Sequence, residues 1–183
     1  MKIALTPEAR SRIATPLAET DWLEVVDDPK EARGHDWLLQ LDRDRLALSR
    51  PGEKGKPVTV DFSEGPVGWR RARAHQERLV RACGLTRAHP PRDIVDLTGG
   101  LARDTGLLTA GGARVTVLER HPLLHSLLAD AVARADPELA EQMQLCHAEG
   151  RDWLTGRSDP LEVIYMDPMF PPVRHKSTLK KEQ

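Results

Sequence analysis

The sequence predicts an α/β protein in which a doubly wound parallel sheet follows a smaller α+β domain. Two observations lead to this class. From residue 93 onward, short apolar runs alternate with helix-forming stretches, which is typical of parallel strands joined by helices. Before residue 69, short β-rich runs are separated by turns. Apolar residues make up 39% of the 183 residues and the net charge is −1, so the composition is that of a folded chain and excludes a polycation or polyanion.

Residues 1–68 are predicted to form the small N-terminal α+β domain. Two apolar-containing runs, residues 37–41 and 45–48, flank Asp42-Arg43-Asp44, which is the pattern of a β-hairpin. A loop rich in Gly, Pro and Lys covers residues 51–57, and the β-rich run 58–62 follows it. The domain is therefore expected to be partly antiparallel.

Residues 69–92 are predicted to form a basic helix and a linker. The stretch 69–83 lacks Gly and Pro and consists mainly of good helix formers, and Gly84 follows as a helix stop. Seven of the 27 Lys and Arg residues lie in the segment 69–92, which holds a single acidic residue. Two interpretations are open, a solvated helical face or a surface that contacts nucleic-acid phosphates. The concentration of positive charge slightly favours phosphate.

Residues 93–183 are predicted to form a Rossmann-like domain. Its four strands are expected at 94–97, 113–118, 143–146 and 163–166, and its helices at 101–110 and 122–135. Pro122 suits the first position of the second helix. In open parallel sheets the ligands bind at the carboxyl ends of the strands, so the residues that follow each strand are the candidate site.

The residues after the first two strands indicate a bound nucleoside. Asp96 precedes the turn Thr98-Gly99-Gly100, where glycine lets the backbone turn tightly and lets a ligand approach the main chain. Glu119 follows the second strand about 20 residues after Gly99, the spacing of a carboxylate that accepts hydrogen bonds from ribose hydroxyls. The alternative is a surface glutamate paired with Arg120, and the glycine turn favours the ribose interpretation.

The same turn indicates which cofactor carries the nucleoside. The sequence Thr98-Gly99-Gly100-Leu101-Ala102-Arg103 lacks the G-x-G-x-x-G pattern that holds a dinucleotide pyrophosphate at a helix N-terminus. Asp96 and Asp104 suit an ammonium group, and Arg103 suits a carboxylate. A nucleoside that carries an amino acid in place of pyrophosphate is S-adenosylmethionine (SAM). An NAD-dependent oxidoreductase is the less favoured alternative.

The fourth strand leads into Asp167-Pro168-Met169-Phe170, which is similar to the [N/D]-P-P-[Y/F] signature of methyltransferases that act on exocyclic amines of bases. The Asp167 carboxylate and the Pro168 carbonyl would accept the N–H groups of the amine and direct its lone pair at the methyl group. Phe170 would stack on the base, which contributes about 1 to 3 kcal/mol. Alone, Asp167-Pro168 is an ordinary turn after a strand, and the other strand ends favour the catalytic interpretation.

Four motifs together resemble the ribosomal RNA small subunit methyltransferase J family. They are Asp96-Leu97-Thr98-Gly99-Gly100-Leu101-Ala102-Arg103-Asp104, Leu118-Glu119-Arg120-His121-Pro122, Tyr165-Met166-Asp167-Pro168-Met169-Phe170-Pro171 and Lys176-Ser177-Thr178-Leu179-Lys180-Lys181-Glu182. Val60-Asp61-Phe62 and Trp69-Arg70-Arg71 extend the resemblance toward the N-terminus. The resemblance implies a SAM-dependent methyltransferase sheet and transfer to the N2 amine of a guanine. The implied partner is 16S rRNA or the small ribosomal subunit.

The resemblance also implies a set of cofactor residues after the four strands, namely Arg103 and Asp104, Glu119 and Arg120, Glu149 and Gly150, and Asp167. Family members usually carry small hydroxyl residues at the positions of Glu149 and Gly150, and a glycine-rich run in place of Ala72-Arg73-Ala74-His75-Gln76-Glu77. The family also continues beyond the position of Gln183. The sheet is therefore expected to be incomplete at its C-terminal end, with an open edge. A truncated, non-catalytic protein that binds SAM or RNA is the second interpretation.

Neither a membrane segment nor a metal site is expected. No stretch reaches the roughly 18 apolar residues of a membrane span, and the N-terminus lacks the apolar run of a signal peptide, so a cytoplasmic location is expected. Cys83 and Cys146 lie far apart, with no C-x-x-C pair and no histidine cluster, which indicates neither zinc nor a disulfide framework. The oligomeric state is not predicted.

Overall fold

The structure is a computed structural model that describes residues 1–63, 73–86, 88 and 92–168. The Trp69-Arg70-Arg71 segment, Phe170 and the motif 176–182 lie outside the described residues. Within the part that is described, no helix is both long enough and apolar enough to cross a membrane.

The N-terminal part contains a five-stranded mixed sheet. Its elements in chain order are β1 (Ile3–Leu5), α1 (Pro7–Arg10), α2 (Thr15–Ala18), β2 (Leu23–Val25), a 3-10 turn (Pro29–Ala32), β3 (Trp37–Asp42), β4 (Arg45–Ser49) and β5 (Val58–Thr59). The strand order is β2-β1-β3-β4-β5. Strand β1 runs parallel to β2 and β3, whereas β4 is antiparallel to both of its neighbours. A partly antiparallel sheet was expected, and β1 with its parallel partners was not.

The predicted hairpin is confirmed as β3 and β4, which pair from Leu38 opposite Ser49 to Asp42 opposite Arg45. The two residues between the strands, Arg43 and Asp44, have φ of 48° and 63°. These left-handed values are those of a two-residue type I′ turn, whose twist matches that of the flanking strands. The tight loop fixes the register, so that Leu46 and Leu48 on β4 are buried.

The continuous helix predicted for residues 69–83 is wrong over its described part. A 3-10 turn (Ala74–Gln76) is followed by Glu77 in an extended conformation and then by α3 (Arg78–Ala82). Ala74 and Val80 both belong to a buried cluster with Leu107. Six residues along one α-helix are separated by about 600°, which puts them about 120° apart around its axis. The break at Glu77 therefore lets both side chains reach the same core. The predicted stop is confirmed, because Gly84 has φ +77°.

The C-terminal part is a four-stranded parallel sheet with the order β8-β7-β6-β9. Its elements are β6 (Asp93–Asp96), α4 (Arg103–Ala110), β7 (Arg114–Leu118), α5 (Pro122–Ala133), α6 (Pro137–Glu141), β8 (Met143–Cys146), α7 (Gly150–Thr155) and β9 (Val163–Tyr165). The chain runs from β6 outward to β8 and then returns to place β9 on the other side of β6. The strand order reverses at β6, which opens a crevice at its carboxyl end. The predicted Rossmann-like α/β class is confirmed.

Helix α5 joins the two sheets through a shared core. Leu127 and Leu128 on α5 belong to the same buried cluster as Leu39 on β3 and Val117 on β7. Because the core is continuous, the N-terminal sheet supports the face of α5 that is turned away from the parallel sheet. The division into domains at residues 68 and 92 stays a prediction.

A buried carboxylate on α5 strengthens this junction. The Asp130 side chain has no exposed surface and accepts hydrogen bonds from Arg12 Nε at 2.8 Å, Arg134 Nε at 2.9 Å and the backbone N–H of Leu46 at 3.0 Å. Two guanidinium groups and a backbone donor therefore satisfy a charge that would be costly to bury alone. The network fixes α5, and with it the end of β7, relative to the first sheet.

Strand β9 forms one edge of the parallel sheet within the described residues. It pairs with β6, and Ile164 and Met166 are 49% and 59% exposed. The open edge expected from the sequence is present in this part of the chain.

Candidate functional site

The turn Thr98-Gly99-Gly100 follows β6 at the centre of the candidate site. It packs directly on the end of β7, because the Gly99 N–H donates to the carbonyl of Leu118 at 2.9 Å. A Cβ atom at Gly99 would lie 2.7 Å from Cγ2 of Val117 and 3.0 Å from the carbonyl oxygen of Leu118. No larger residue fits without a shift of the turn or the strand. The close approach explains why the sequence has glycine here.

Glu119 holds this turn from the end of β7. The Gly100 N–H donates to Glu119 Oε2 at 2.8 Å, and the His121 N–H donates to Oε1 at 2.7 Å. Glu119 is only 7% exposed, so the alternative of a surface glutamate paired with Arg120 is wrong. The carboxylate fixes both the turn after β6 and the start of α5. Each carboxylate oxygen has two lone pairs, so one remains on each oxygen for a ligand.

Asp96 supports the turn from below. Its side chain is 2% exposed and accepts hydrogen bonds from Thr105 Oγ1 at 2.5 Å and from the Thr98 N–H at 3.0 Å. Burial raises the pKa of the Asp96 carboxyl, and the hydrogen bonds from Thr105 and Thr98 oppose that rise. Asp96 therefore fixes the start of the turn and the first turns of α4. Its expected contact with an ammonium group stays a prediction.

Asp167 is connected to the same turn from β9. Its backbone N–H donates to Thr98 Oγ1 at 2.7 Å, across 69 positions of the sequence. Asp167 and Pro168 are exposed. The structure thus brings Asp167 and the glycine turn together, as the parallel sheet predicted.

Asp104 and Arg103 lie in the first turn of α4. The Tyr165 hydroxyl donates to Asp104 Oδ2 at 2.6 Å, so this carboxylate is attached to β9. Burial and the neighbouring Asp104 raise the pKa of Tyr165, which stays protonated as a donor. Arg103 is exposed and borders a small cleft that Asp61 and Phe62 also line. Both α4 residues are therefore placed beside the glycine turn.

Arg120 and Glu149 link the ends of β7 and β8. Arg120 Nη1 lies 2.8 Å from Glu149 Oε2, and this pairing holds the pKa of the Glu149 carboxyl below its usual value. Gly150 follows at the start of α7, where a Cβ would lie 2.8 Å from the carbonyl oxygen of Leu97. Gly150 therefore lies against Leu97, which leads into the glycine turn, and Glu149 is held by Arg120.

Sequence reasoning missed three side chains that assemble the site. Thr98 carries the bond to Asp167, Thr105 bonds to Asp96, and Tyr165 bonds to Asp104. Thr98 and Tyr165 stand inside the motifs, but nothing in a linear sequence shows which side chains meet across two strands. Among the residues that the structure describes, no group of three or more His, Cys, Asp or Glu side chains is arranged to hold a metal ion.

The parallel sheet has a glycine turn after its first strand and a carboxylate after its second. These features are typical of Rossmann-like folds that bind nucleoside cofactors, the class to which SAM-dependent methyltransferases belong. A family model described as "Putative SAM-dependent methyltransferase" matches residues 25–183. The chain belongs to this family of SAM-dependent methyltransferases, and its cofactor is SAM.

Curated relatives bear the name ribosomal RNA small subunit methyltransferase J, which confirms the resemblance inferred from the motifs. The relative from Marinobacter nauticus is 34% identical over 100% of this chain and 69% of its own length. The relative from Thioalkalivibrio sulfidiphilus is 42% identical over 84% of this chain and 63% of its own length. That from Aeromonas hydrophila is 41% identical over 98% of this chain and 70% of its own length. The chain thus spans about two thirds of the length of these relatives.

A solved structure shares the fold. The crystal structure of a SAM-dependent methyltransferase from Neisseria gonorrhoeae is 26% identical to this chain and has a TM-score of 0.67. The match covers 92% of this chain and 70% of that protein. The predicted methyltransferase sheet is confirmed by this neighbour as well as by the family model.

Proposed function

We propose that this chain transfers a methyl group from SAM to the exocyclic N2 amine of a guanine in 16S rRNA. The observation that carries the proposal is the pair of hydrogen bonds by which the Thr98-Gly99-Gly100 turn contacts Glu119 and Asp167. These bonds connect Glu119, the candidate cofactor residue, and Asp167, the candidate substrate residue, to the same three-residue turn. The names of the relatives supply the substrate class, small subunit ribosomal RNA. Such a substrate would place the protein in the cytoplasm.

The residues around the turn fit the cofactor. Gly99 leaves no room for a side chain against β7, which keeps the backbone of the turn close to the sheet. A nucleoside would rest on this backbone. Glu119 would accept the ribose hydroxyls with the lone pairs that Gly100 and His121 leave unused. Arg103 would pair with the carboxylate of the amino-acid part, and Asp104 would accept from its ammonium group.

The third strand end would complete the cofactor site. Arg120, Glu149 and Gly150 would border the adenine ring, because they follow β7 and β8 on the side of the crevice away from Asp167. Asp96 would act mainly from beneath the turn, since its side chain is buried.

The charge of the site suits a cationic cofactor. When bound, SAM supplies an electrophilic methyl group on a positively charged sulfur. The strand ends carry more carboxylates than guanidinium groups, the acids being Asp96, Asp104, Glu119, Glu149 and Asp167 and the bases Arg103 and Arg120. A surplus of fixed negative charge in a crevice stabilises a bound cation by simple Coulomb attraction.

The substrate residues would orient a weak nucleophile. The lone pair of an aromatic amine is delocalised into the ring, so the amine must be held with that lone pair directed at the methyl group. Asp167 is exposed, and its carboxylate would accept one amine N–H while the Pro168 carbonyl would accept the other. Phe170 would stack on the base. Positioning of this kind supplies most of the catalysis when the electrophile is already strong.

The test is methyl transfer from radiolabelled SAM to small-subunit rRNA that lacks the modification. We expect label in N2-methylguanine with the parent chain and none with Asp167→Ala. The control is Asp152→Ala, which removes an exposed carboxylate on α7. Both variants should bind S-adenosylhomocysteine (SAH) in calorimetry and unfold at the parental urea concentration, because both side chains are exposed.

Each outcome has a defined meaning. Transfer by Asp167→Ala at the parental rate would contradict the role of this carboxylate. Label in an adenine product would contradict the choice of base. SAH binding by the parent with no transfer would support the non-catalytic interpretation. The family assignment argues against the NAD-dependent alternative.

A further inference from the structure

We infer that Thr98 is a positioning residue for methyl transfer, because its hydroxyl sets the place of the Asp167 backbone. This inference rests on the proposed function, in which Asp167 holds the target amine. Thr98 belongs to the glycine turn, and its hydroxyl oxygen accepts a 2.7 Å hydrogen bond from the Asp167 N–H.

The bond lies where the backbone pairing of β6 and β9 ends. Asp96 is the last residue of β6 and is paired with Tyr165, and the Leu97 N–H then donates to the carbonyl of Tyr165 at 3.0 Å. The ladder between β6 and β9 ends with this bond. The Thr98 hydroxyl continues the connection with a side chain, one residue past the final ladder bond. The Thr98 hydroxyl therefore holds the backbone of Asp167 beside the glycine turn.

Thr98 is itself fixed by the buried carboxylate below it. The Thr98 N–H donates to Asp96 Oδ1 at 3.0 Å, and the Thr98 hydroxyl lies 3.4 Å from the same oxygen. A hydroxyl has one donor and two acceptor positions, so it can face Asp96 with its hydrogen and accept from Asp167 with its oxygen. The arrangement makes a chain of contacts from a buried acid to the exposed loop.

A second contact holds the same strand. The Tyr165 hydroxyl donates to Asp104 on α4, so β9 is attached to the segment after β6 on both sides of Met166. The Tyr165 bond anchors the strand itself, whereas the Thr98 bond acts on the residue whose carboxylate would meet the substrate. Loss of the Thr98 bond should therefore displace Asp167 while β9 stays in place.

The test compares Thr98→Val with Thr98→Ser. Valine keeps the shape of threonine and removes the acceptor, whereas serine keeps the hydroxyl. A displacement of about 1 Å in a reacting group can cost about 100-fold in rate. We expect Thr98→Val to lower kcat by about 10- to 100-fold and to change the Kd for SAH by less than about threefold. Thr98→Ser should remain within about threefold of the parental kcat.

The matched control is Thr116→Val on β7. Its hydroxyl lies 3.4 Å from Gln144 Oε1 on the neighbouring strand, and neither residue belongs to the candidate site. We expect parental kcat and parental SAH binding. A drop in kcat with this variant equal to that of Thr98→Val would overturn the inference, because any loss of a threonine hydroxyl would then have the same effect.

Hydrogen exchange gives a readout that does not depend on activity. The Asp167 amide donates to Thr98, so its exchange should accelerate at least about tenfold in Thr98→Val and stay near the parental rate in Thr98→Ser. Unchanged exchange in Thr98→Val would overturn the inference, and so would a parental kcat in that variant. An equal loss of SAH affinity and kcat would also overturn it, because the substitution would then act only by changing how the glycine turn binds the cofactor.

The same data separate failure of the inference from failure of the proposed function. If the parent binds SAH and transfers no methyl group to small-subunit rRNA, the proposed function fails and the non-catalytic interpretation is supported. The exchange rates of the Asp167 amide still decide whether the Thr98 hydroxyl holds the loop, with faster exchange in Thr98→Val alone supporting that link.

Discussion

Replacement of Glu119 by glutamine tests whether this carboxylate holds the glycine turn Thr98-Gly99-Gly100. Both of its oxygens accept backbone N–H groups, from Gly100 at 2.8 Å and from His121 at 2.7 Å. A glutamine has the same shape but a single acceptor oxygen. Whichever way its amide is turned, one of the two backbone donors then faces an NH₂ group. The change removes one hydrogen bond and weakens the other by removing the charge.

The cost follows from these two contacts. A hydrogen bond to a charged acceptor contributes about 1.5 to 3 kcal/mol, and a buried donor left without a partner costs about 1 to 3 kcal/mol. Removal of a buried charge offsets part of this loss, because the carboxylate no longer has to be desolvated. We expect the free energy of unfolding to fall by about 2 kcal/mol. With an m-value of about 2 kcal/mol/M, the urea midpoint should fall by about 1 M.

Far-UV circular dichroism in urea measures the midpoint, and calorimetry with SAH measures the ligand affinity of the same samples. Glu141→Gln is the control, since it removes one negative charge from an exposed residue at the end of α6. Its midpoint should stay within about 0.3 M of the parent, as expected for a surface change. A parental midpoint for Glu119→Gln would refute the reasoning, because the two N–H groups would then not depend on the carboxylate. We expect weakened SAH binding as well, because the turn moves and the proposed acceptor for the ribose hydroxyls is altered.

Two further predictions concern packing and pH. Gly99→Ala should lower the free energy of unfolding in urea by about 1 to 3 kcal/mol, since its Cβ would lie 2.7 Å from Val117 Cγ2. Gly55→Ala is the control and should be neutral, because its Cβ would meet nothing within 4 Å at an ordinary φ. Equal urea midpoints for the two variants would contradict the packing argument. Burial, and then the nearby His147, lower the pKa of His125 below 6.5, so the folded state prefers the neutral ring. The stabilisation that this residue contributes should be complete above pH 6.5 and should decline as the pH falls below that value, by at most about 1.4 kcal/mol per pH unit. His125→Gln should therefore reduce the dependence on pH of the free energy of unfolding, measured in urea below pH 6.5. An unchanged dependence on pH would show that other groups cause it.

The parallel sheet could be predicted because its signals are local. Strands β6 to β9 are apolar runs bounded by turns, and the predicted bounds lie within one residue of those observed. Pro122 opens α5 as expected for a residue with a fixed φ and no N–H. Parallel strands align their carboxyl ends, so the meeting of Asp96, Glu119 and Asp167 followed once the strands had been placed.

The N-terminal sheet could not be predicted in full because its pairing is not local. Strand β1 has three residues and acquires its place by pairing with Leu23 on one side and Trp37 on the other. Helices α1 and α2 have four residues each, too few for a helical period to be visible. The break at Glu77 was missed for a related reason, because helix propensity favoured continuity and only packing against α4 requires the break.

The carboxylates of the candidate site differ in burial, and this difference distinguishes those that hold the backbone from the one that would contact a substrate. Asp96 and Glu119 are 2% and 7% exposed, and their oxygens already accept donors from the protein, so each holds the backbone in place. The Asp167 side chain is exposed, and the protein instead binds its backbone N–H through Thr98. A carboxylate that contacts a substrate needs oxygens that accept no hydrogen bond from the protein. A carboxylate that holds a turn needs oxygens that accept hydrogen bonds from its backbone. By this argument Glu119 would serve both purposes, with one lone pair of each oxygen committed to the turn and the other available to a ribose hydroxyl. Replacing Glu119 should therefore lower stability and ligand affinity together, whereas replacing Asp167 should lower methyl transfer without lowering the affinity for SAH.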